Sequence, residues 1–95
     1  MLMTDIYNYF SNNKTAKDVT LEQTDTKDII SIRFPATEDD REATIVVDRL
    51  KDTGTYAVST MLSKGYSTHE LPADATEQQI IWTVLSQATK QAGTV

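Results

Sequence analysis

Ile29-Ile30-Ser31-Ile32-Arg33-Phe34-Pro35 is the stretch on which the fold turns. Ile30, Ile32 and Phe34 alternate with Ser31 and Arg33, the period of a strand with one apolar face. Pro35 closes the run because it brings no backbone N–H to a neighbouring strand. The same period extends in both directions, from Lys17 to Leu71. Upstream, Val19 and Leu21 alternate with Thr20 and Glu22. Downstream, Ala43, Ile45 and Val47 alternate less cleanly with Thr44, Val46 and Asp48, and Tyr56, Val58, Thr60 and Leu62 alternate with Ala57, Ser59 and Met61. Short joints separate the runs: Thr24-Asp25-Thr26, an acidic loop over 36–41, and Lys51-Asp52-Thr53-Gly54, where Gly54 provides the positive φ of a hairpin loop. Lys64-Gly65 is a further turn, and Tyr66 to Leu71 is a candidate short edge strand. Fifteen threonines, many inside these runs, suit the exposed face of a twisted antiparallel sheet.

Helical spacing brackets the strands. Leu2, Met3, Ile6, Tyr9 and Phe10 share one side of a short helix over 4–13, with Thr4 or Asp5 as its cap and Ser11-Asn12-Asn13 as its stop. After Pro72, Asp74-Ala75-Thr76-Glu77 and Thr76-Glu77-Gln78-Gln79 are overlapping capping-box patterns. Ile80, Ile81, Val84, Leu85, Ala88 and Ala92 then form an apolar stripe that ends at Gly93. The order predicts an α+β domain: a short N-terminal helix, a three- to four-stranded antiparallel meander and a C-terminal amphipathic helix. Both helices pack on one sheet face, over Ile30, Ile32, Phe34, Ile45, Val47, Val58 and Leu62. Residues 1–95 make a single compact domain, since a second core would leave each half too short.

Composition narrows the chemistry. The chain has no cysteine and one histidine, His69, which removes disulfides, thiol nucleophiles and Cys- or multi-His metal sites. No run approaches the roughly 18 apolar residues of a membrane-spanning helix, and Met1-Leu2-Met3-Thr4-Asp5 lacks the basic and apolar regions of a secretory signal. A cytoplasmic location, in a bacterial or viral setting, is the expectation. The net charge of −5 belongs to one segment: between Asp18 and Glu42, eight acids face Lys27, Arg33 and Arg41, and elsewhere the charges cancel. Direct binding to nucleic acid is disfavoured, because it needs phosphate neutralisation by Lys and Arg. A solvated acidic edge is the ordinary reading of that segment.

Three local patterns suggest chemistry. Asp52-Thr53-Gly54 resembles the Asp-Thr-Gly triplet of aspartic proteases, and the length resembles a retroviral-type protease subunit. In that family an apolar strand runs into the triplet, whereas Lys51 precedes it here, and the reaction needs two buried aspartates sharing a proton. His69 and Glu70 are adjacent on a strand, so they point to opposite faces. Glu38-Asp39-Asp40 lacks the alternating oxygen ligands and the glycine of a calcium loop. The helix–strands–helix order is also similar to that of double-stranded RNA-binding domains. Their lysine cluster at the last helix is replaced here by Ala73-Asp74-Ala75-Thr76-Glu77. These patterns predict no catalytic residue, no cofactor and no metal site.

Two surfaces stand out instead. Trp82 falls off the centre of the C-terminal stripe, beside Thr89 and Ser86 on an outer face that Thr83, Gln87 and Gln79 make polar but nearly uncharged, and there it either roofs the core, the ordinary case, or anchors an interface. If Ile30, Ile32 and Val47 point inward, then Ile29, Val46, Leu50 and Met61 point outward and leave the second sheet face unfinished. The expected function is therefore a non-enzymatic, small acidic interaction module that self-associates, as a homodimer through that face, or binds a protein partner. The alternative is a nucleic-acid-mimicking inhibitor that uses the acids of 18–42, Glu38, Asp39 and Asp40 among them. In size and element order the chain is similar to some phage-encoded CRISPR inhibitors.

Overall fold

The computed structural model describes residues 2–14, 16–34, 43–62 and 65–93. Their order is α1 (Leu2–Ser11), β1 (Asp18–Gln23), β2 (Lys27–Phe34), β3 (Ala43–Leu50), β4 (Tyr56–Leu62), β5 (Gly65–Leu71) and α2 (Glu77–Gly93). The strands form one antiparallel sheet in sequence order, β1-β2-β3-β4-β5. The α+β class and the antiparallel meander agree with the sequence. The expected three to four strands become five, because β5 pairs with β4 over its full length.

Alternation explains the core. Ile30, Ile32, Phe34, Ile45, Val47, Tyr56 and Val58 are buried on one sheet face, and Met3, Ile6 and Phe10 of α1 with Ile80 and Val84 of α2 close over them in a single cluster. Both helices thus cover one face. Phe10 and Phe34 meet edge to face, with ring centroids 6.4 Å apart, and lock α1 to β2. Leu62 and Ala92, also expected in the core, lie outside the described side chains, and Pro35, the 36–41 loop and Lys64 lie outside the described residues.

The local signals act much as their chemistry requires. Gly54 has φ +74° and donates its N–H to the Leu50 carbonyl at 2.7 Å, which turns β3 into β4. Thr24 turns β1 into β2: its N–H donates to the Lys27 carbonyl, and its hydroxyl accepts from the Lys27 N–H at 3.1 Å. At α2 the second of the two capping boxes forms. The Thr76 N–H donates to Gln79 Oε1 at 2.9 Å, and the Gln79 N–H donates to Thr76 Oγ1 at 3.1 Å. The N-terminal helix starts earlier than expected, at Leu2, so Thr4 and Asp5 sit inside its first turn rather than at its cap. It ends as expected, where Asn12 donates from both its backbone and its side chain to the Asn8 carbonyl.

Candidate interaction surface

With both helices on one side, the other side of the sheet is bare among the described residues. Pairing puts its residues into lines that run across all five strands. One line is Thr20, Ser31, Val46, Ser59 and Thr68, and the next is Glu22, Ile29, Asp48, Ala57 and Glu70. Val46 therefore lies mid-strand on the central strand. Ile29 and Met61 flank it diagonally, Ile29 on β2 and Met61 on β4, and Leu50 ends the same side of β3. All four residues expected to point outward do so. Leu50 and Met61 are 42% and 48% exposed, while Ile29 and Val46 are partly shielded by their neighbours on the sheet.

The second line alternates acid and apolar residues. Glu22, Asp48 and Glu70 sit on β1, β3 and β5, so successive carboxylates are two strand spacings apart, roughly 9–10 Å. Asp48 Oδ1 is shielded from water and has no hydrogen-bond partner among the described residues, which leaves that oxygen's desolvation uncompensated by them. At the β1 margin Arg33 pairs with Asp18.

Trp82 does not roof the core. It is 70% exposed, the highest value among the described large apolar side chains. A turn of about 100° per residue sets it about 200° from Ile80, nearly opposite the buried centre of the helix. It lines an open groove of about 630 Å³ with Leu71, Pro72, Gln78, Gln79 and Thr83. A smaller hollow of about 290 Å³, bounded by Leu50, Ala57 and Glu70, shares Leu71 and Pro72 with it. The bare face and the Trp82 groove thus adjoin around the C-terminal end of β5.

Two polar residues, Asp28 and Gln87, depart from their expected places, and a third, Thr60, is buried in the phase its strand predicts. Asp28 belongs to the acidic segment that reads as a solvated edge, yet it is 1% exposed on the inner face. Arg49 Nη1 and Lys51 Nζ each lie 3.8 Å from its oxygens, outside hydrogen-bond range. Gln87, expected on the outer side of α2, is buried, and its Nε2 donates to His69 Nε2 at 2.7 Å. Donation by an amide N–H makes that ring nitrogen an acceptor. Thr60 is fully buried, and its hydroxyl has no hydrogen-bond partner among the described residues.

His69 and Glu70 do lie on opposite faces, since His69 shares the inner line with Val58 and Glu70 the outer one with Ala57. Asp52 is exposed in the β3–β4 turn. Glu38, Asp39 and Asp40 lie outside the described residues. Among the described residues no group of three His, Cys, Asp or Glu side chains is placed to hold a metal ion, and no helix is long and apolar enough to cross a membrane. No family model matches the chain, and neither a curated protein nor a solved structure is significantly similar to it.

Proposed function

We propose that the chain is a small acidic interaction module without catalytic activity, which self-associates or binds a protein partner. One observation carries the reading: a five-stranded sheet has both of its helices on one face and presents Ile29, Val46, Leu50 and Met61 on the other. Bare apolar surface of this kind gains free energy when a partner covers it, at about 25 cal/mol per Å² before association costs are subtracted. The alternation of Glu22, Asp48 and Glu70 with Ile29 and Ala57 specifies that partner further. It is a surface with apolar side chains between lysines or arginines, whose donors would satisfy the Asp48 carboxylate.

The nucleic-acid-mimic reading draws support from the same acidic line, which would face a basic groove. Two of the acids on which it was built are otherwise engaged: Asp28 is buried, and Asp18 is paired with Arg33. Salt separates the two readings, because exposed charge contacts are screened within a Debye length of about 8 Å at physiological ionic strength, while apolar burial is not.

The test immobilises wild type, Val46→Lys and a triple variant with Glu38→Gln, Asp39→Asn and Asp40→Asn, and captures partners from source-cell extract at low and high salt. The interaction-module reading expects a partner that survives high salt on wild type, is lost on Val46→Lys and stays on the triple variant. A partner released by salt and absent from the triple variant would favour the mimic. Equal capture by all three baits would remove the bare face from the account.

A further inference from the structure

The two edges of the sheet are not equivalent. At the β1 edge Lys17, Asp18 and Glu22 are charged and exposed, and Asp18 is tied to Arg33. Charged side chains are a common device for keeping an edge from pairing with another chain. From Gly65 to Leu71, β5 carries one formal charge, Glu70, and has no proline. It also has no bulge, since its register with β4 runs unbroken from Tyr56↔Leu71 to Leu62↔Gly65. Among the described residues this strand thus has neither proline nor bulge and only one charge to blunt its edge, and the exposed Trp82 stands at its C-terminal end, beside Leu71 and Pro72.

The direction of the free backbone groups follows from the ladder. The Leu50 N–H donates to the Thr55 carbonyl at 2.9 Å, so 55, 57, 59 and 61 turn their backbone groups toward β3. Tyr56, Val58 and Thr60 then bond to β5, where they meet Leu71, His69 and Ser67. The backbone N–H and C=O of 66, 68 and 70 are left pointing away from the sheet.

We propose that a second copy of the chain pairs with this edge, β5 antiparallel to β5, about a two-fold axis at Thr68. The proposal rests on the self-association half of the function above and moves it from the sheet face to the sheet edge. Centring on Thr68 pairs 68 with 68 and 66 with 70, so all the outward groups of both strands find partners. Centring on His69 would set 66 against Pro72, which has no N–H to give. For a second copy, charge selects this edge over the β1 edge. Two chains of net charge −5 repel, and pairing through β1 would bring Asp18 and Glu22 of both copies together. Across a Thr68 axis the two Glu70 positions fall roughly 14 Å apart, beyond a Debye length of about 8 Å. The result is a ten-stranded sheet with all four helices on one side. The two bare faces merge into one continuous face, free for the apolar and basic partner described above.

Because the chain lacks cysteine, one substitution reports the geometry. Facing residues of a bonded antiparallel pair have Cα atoms about 5.5 Å apart, within the span of a disulfide. Thr68→Cys, oxidised with glutathione disulfide, is expected to give a covalent dimer in high yield. Thr20→Cys, on the same outer line at the other edge, is expected to stay monomeric. In light scattering, wild type at high micromolar concentration is expected at twice the chain mass, and Val46→Lys likewise. Thr68→Pro, which removes the outward N–H together with the hydroxyl contact to Ser59 and is tolerated on an edge strand, is expected to be monomeric with unchanged circular dichroism. A monomeric wild type would overturn both the edge pairing and the self-association reading. A dimer that Val46→Lys dissociates and Thr68→Pro leaves intact would overturn the edge alone. Equal cross-linking of Thr68→Cys and Thr20→Cys would do the same, even if Thr68→Pro fails to fold.

Discussion

Thr60 holds a hydroxyl in the core with no hydrogen-bond partner among the described residues, between Ile45 on β3 and Ser67 on β5. A buried polar group left unmade costs about 1–3 kcal/mol, and valine has nearly the same shape without that group. Thr60→Val is therefore expected to raise stability by about 1 kcal/mol, read as a higher urea midpoint at unchanged slope. A lower midpoint would mean that the hydroxyl finds a partner in solution. Asp28 poses the same question with a charge. Its two cations at 3.8 Å offset the desolvation of the carboxylate without hydrogen-bonding it, and both keep their own side chains partly in water. The burial of Asp28 was legible by parity, because 28 has the same phase as Ile30, Ile32 and Phe34. Its charge, and its place in a run of acids, point the other way, and in the fold the parity prevails.

At the scale of elements, α2 depends on its first turn. Thr76→Ala removes the hydroxyl that accepts from Gln79 and is expected to cost about 1 kcal/mol, whereas Thr76→Ser keeps it and costs little. Urea melts of the two variants check this, and equal midpoints would mean that the cap contributes nothing. The central strands, both helices and the Gly54 turn were readable because burial imposes a period on them. β5 was only half readable for the same reason. Its inward positions include Ser67 and His69, and its outward ones Thr68 and Glu70, so an edge strand that buries little leaves little pattern. Trp82 was legible as lying off the centre of the stripe, but its ordinary reading as a roof over the core fails because the apolar stripe of α2 is broad. Its buried centre runs through Ile80, Val84 and Gln87, and Gln87 is polar, so hydropathy drew the centre toward Ile81 and Leu85, which are only half-buried. The capping box shows the opposite case, a polar pattern that was legible because its geometry is local.

For the whole molecule, one sheet separates two environments, and the functional reading depends on which side is which. Register gives every strand the same division: 30, 32, 45, 47, 56, 58 and 60 face the helices, and 29, 31, 46, 48, 57, 59 and 61 face outward. A slip of one residue in the pairing would exchange the sides. The candidate surface was legible to that extent in the sequence, since Ile29, Val46, Leu50 and Met61 follow from the phase of Ile30. The acid–apolar line across it was not, because it depends on which residues pair across strands, and no single strand carries that information. The most direct measurement compares urea unfolding of Val46→Lys and Val47→Lys, adjacent residues on the central strand. Val46→Lys is expected to stay folded and change stability by less than about 1 kcal/mol, since its new charge enters water. Val47→Lys is expected to lose more than about 3 kcal/mol or fail to fold, because it sets an unpaired charge among Ile30, Ile45 and Val58. Unfolding of Val46→Lys with a tolerated Val47→Lys would contradict the account, because the face proposed to meet partners would then be the core.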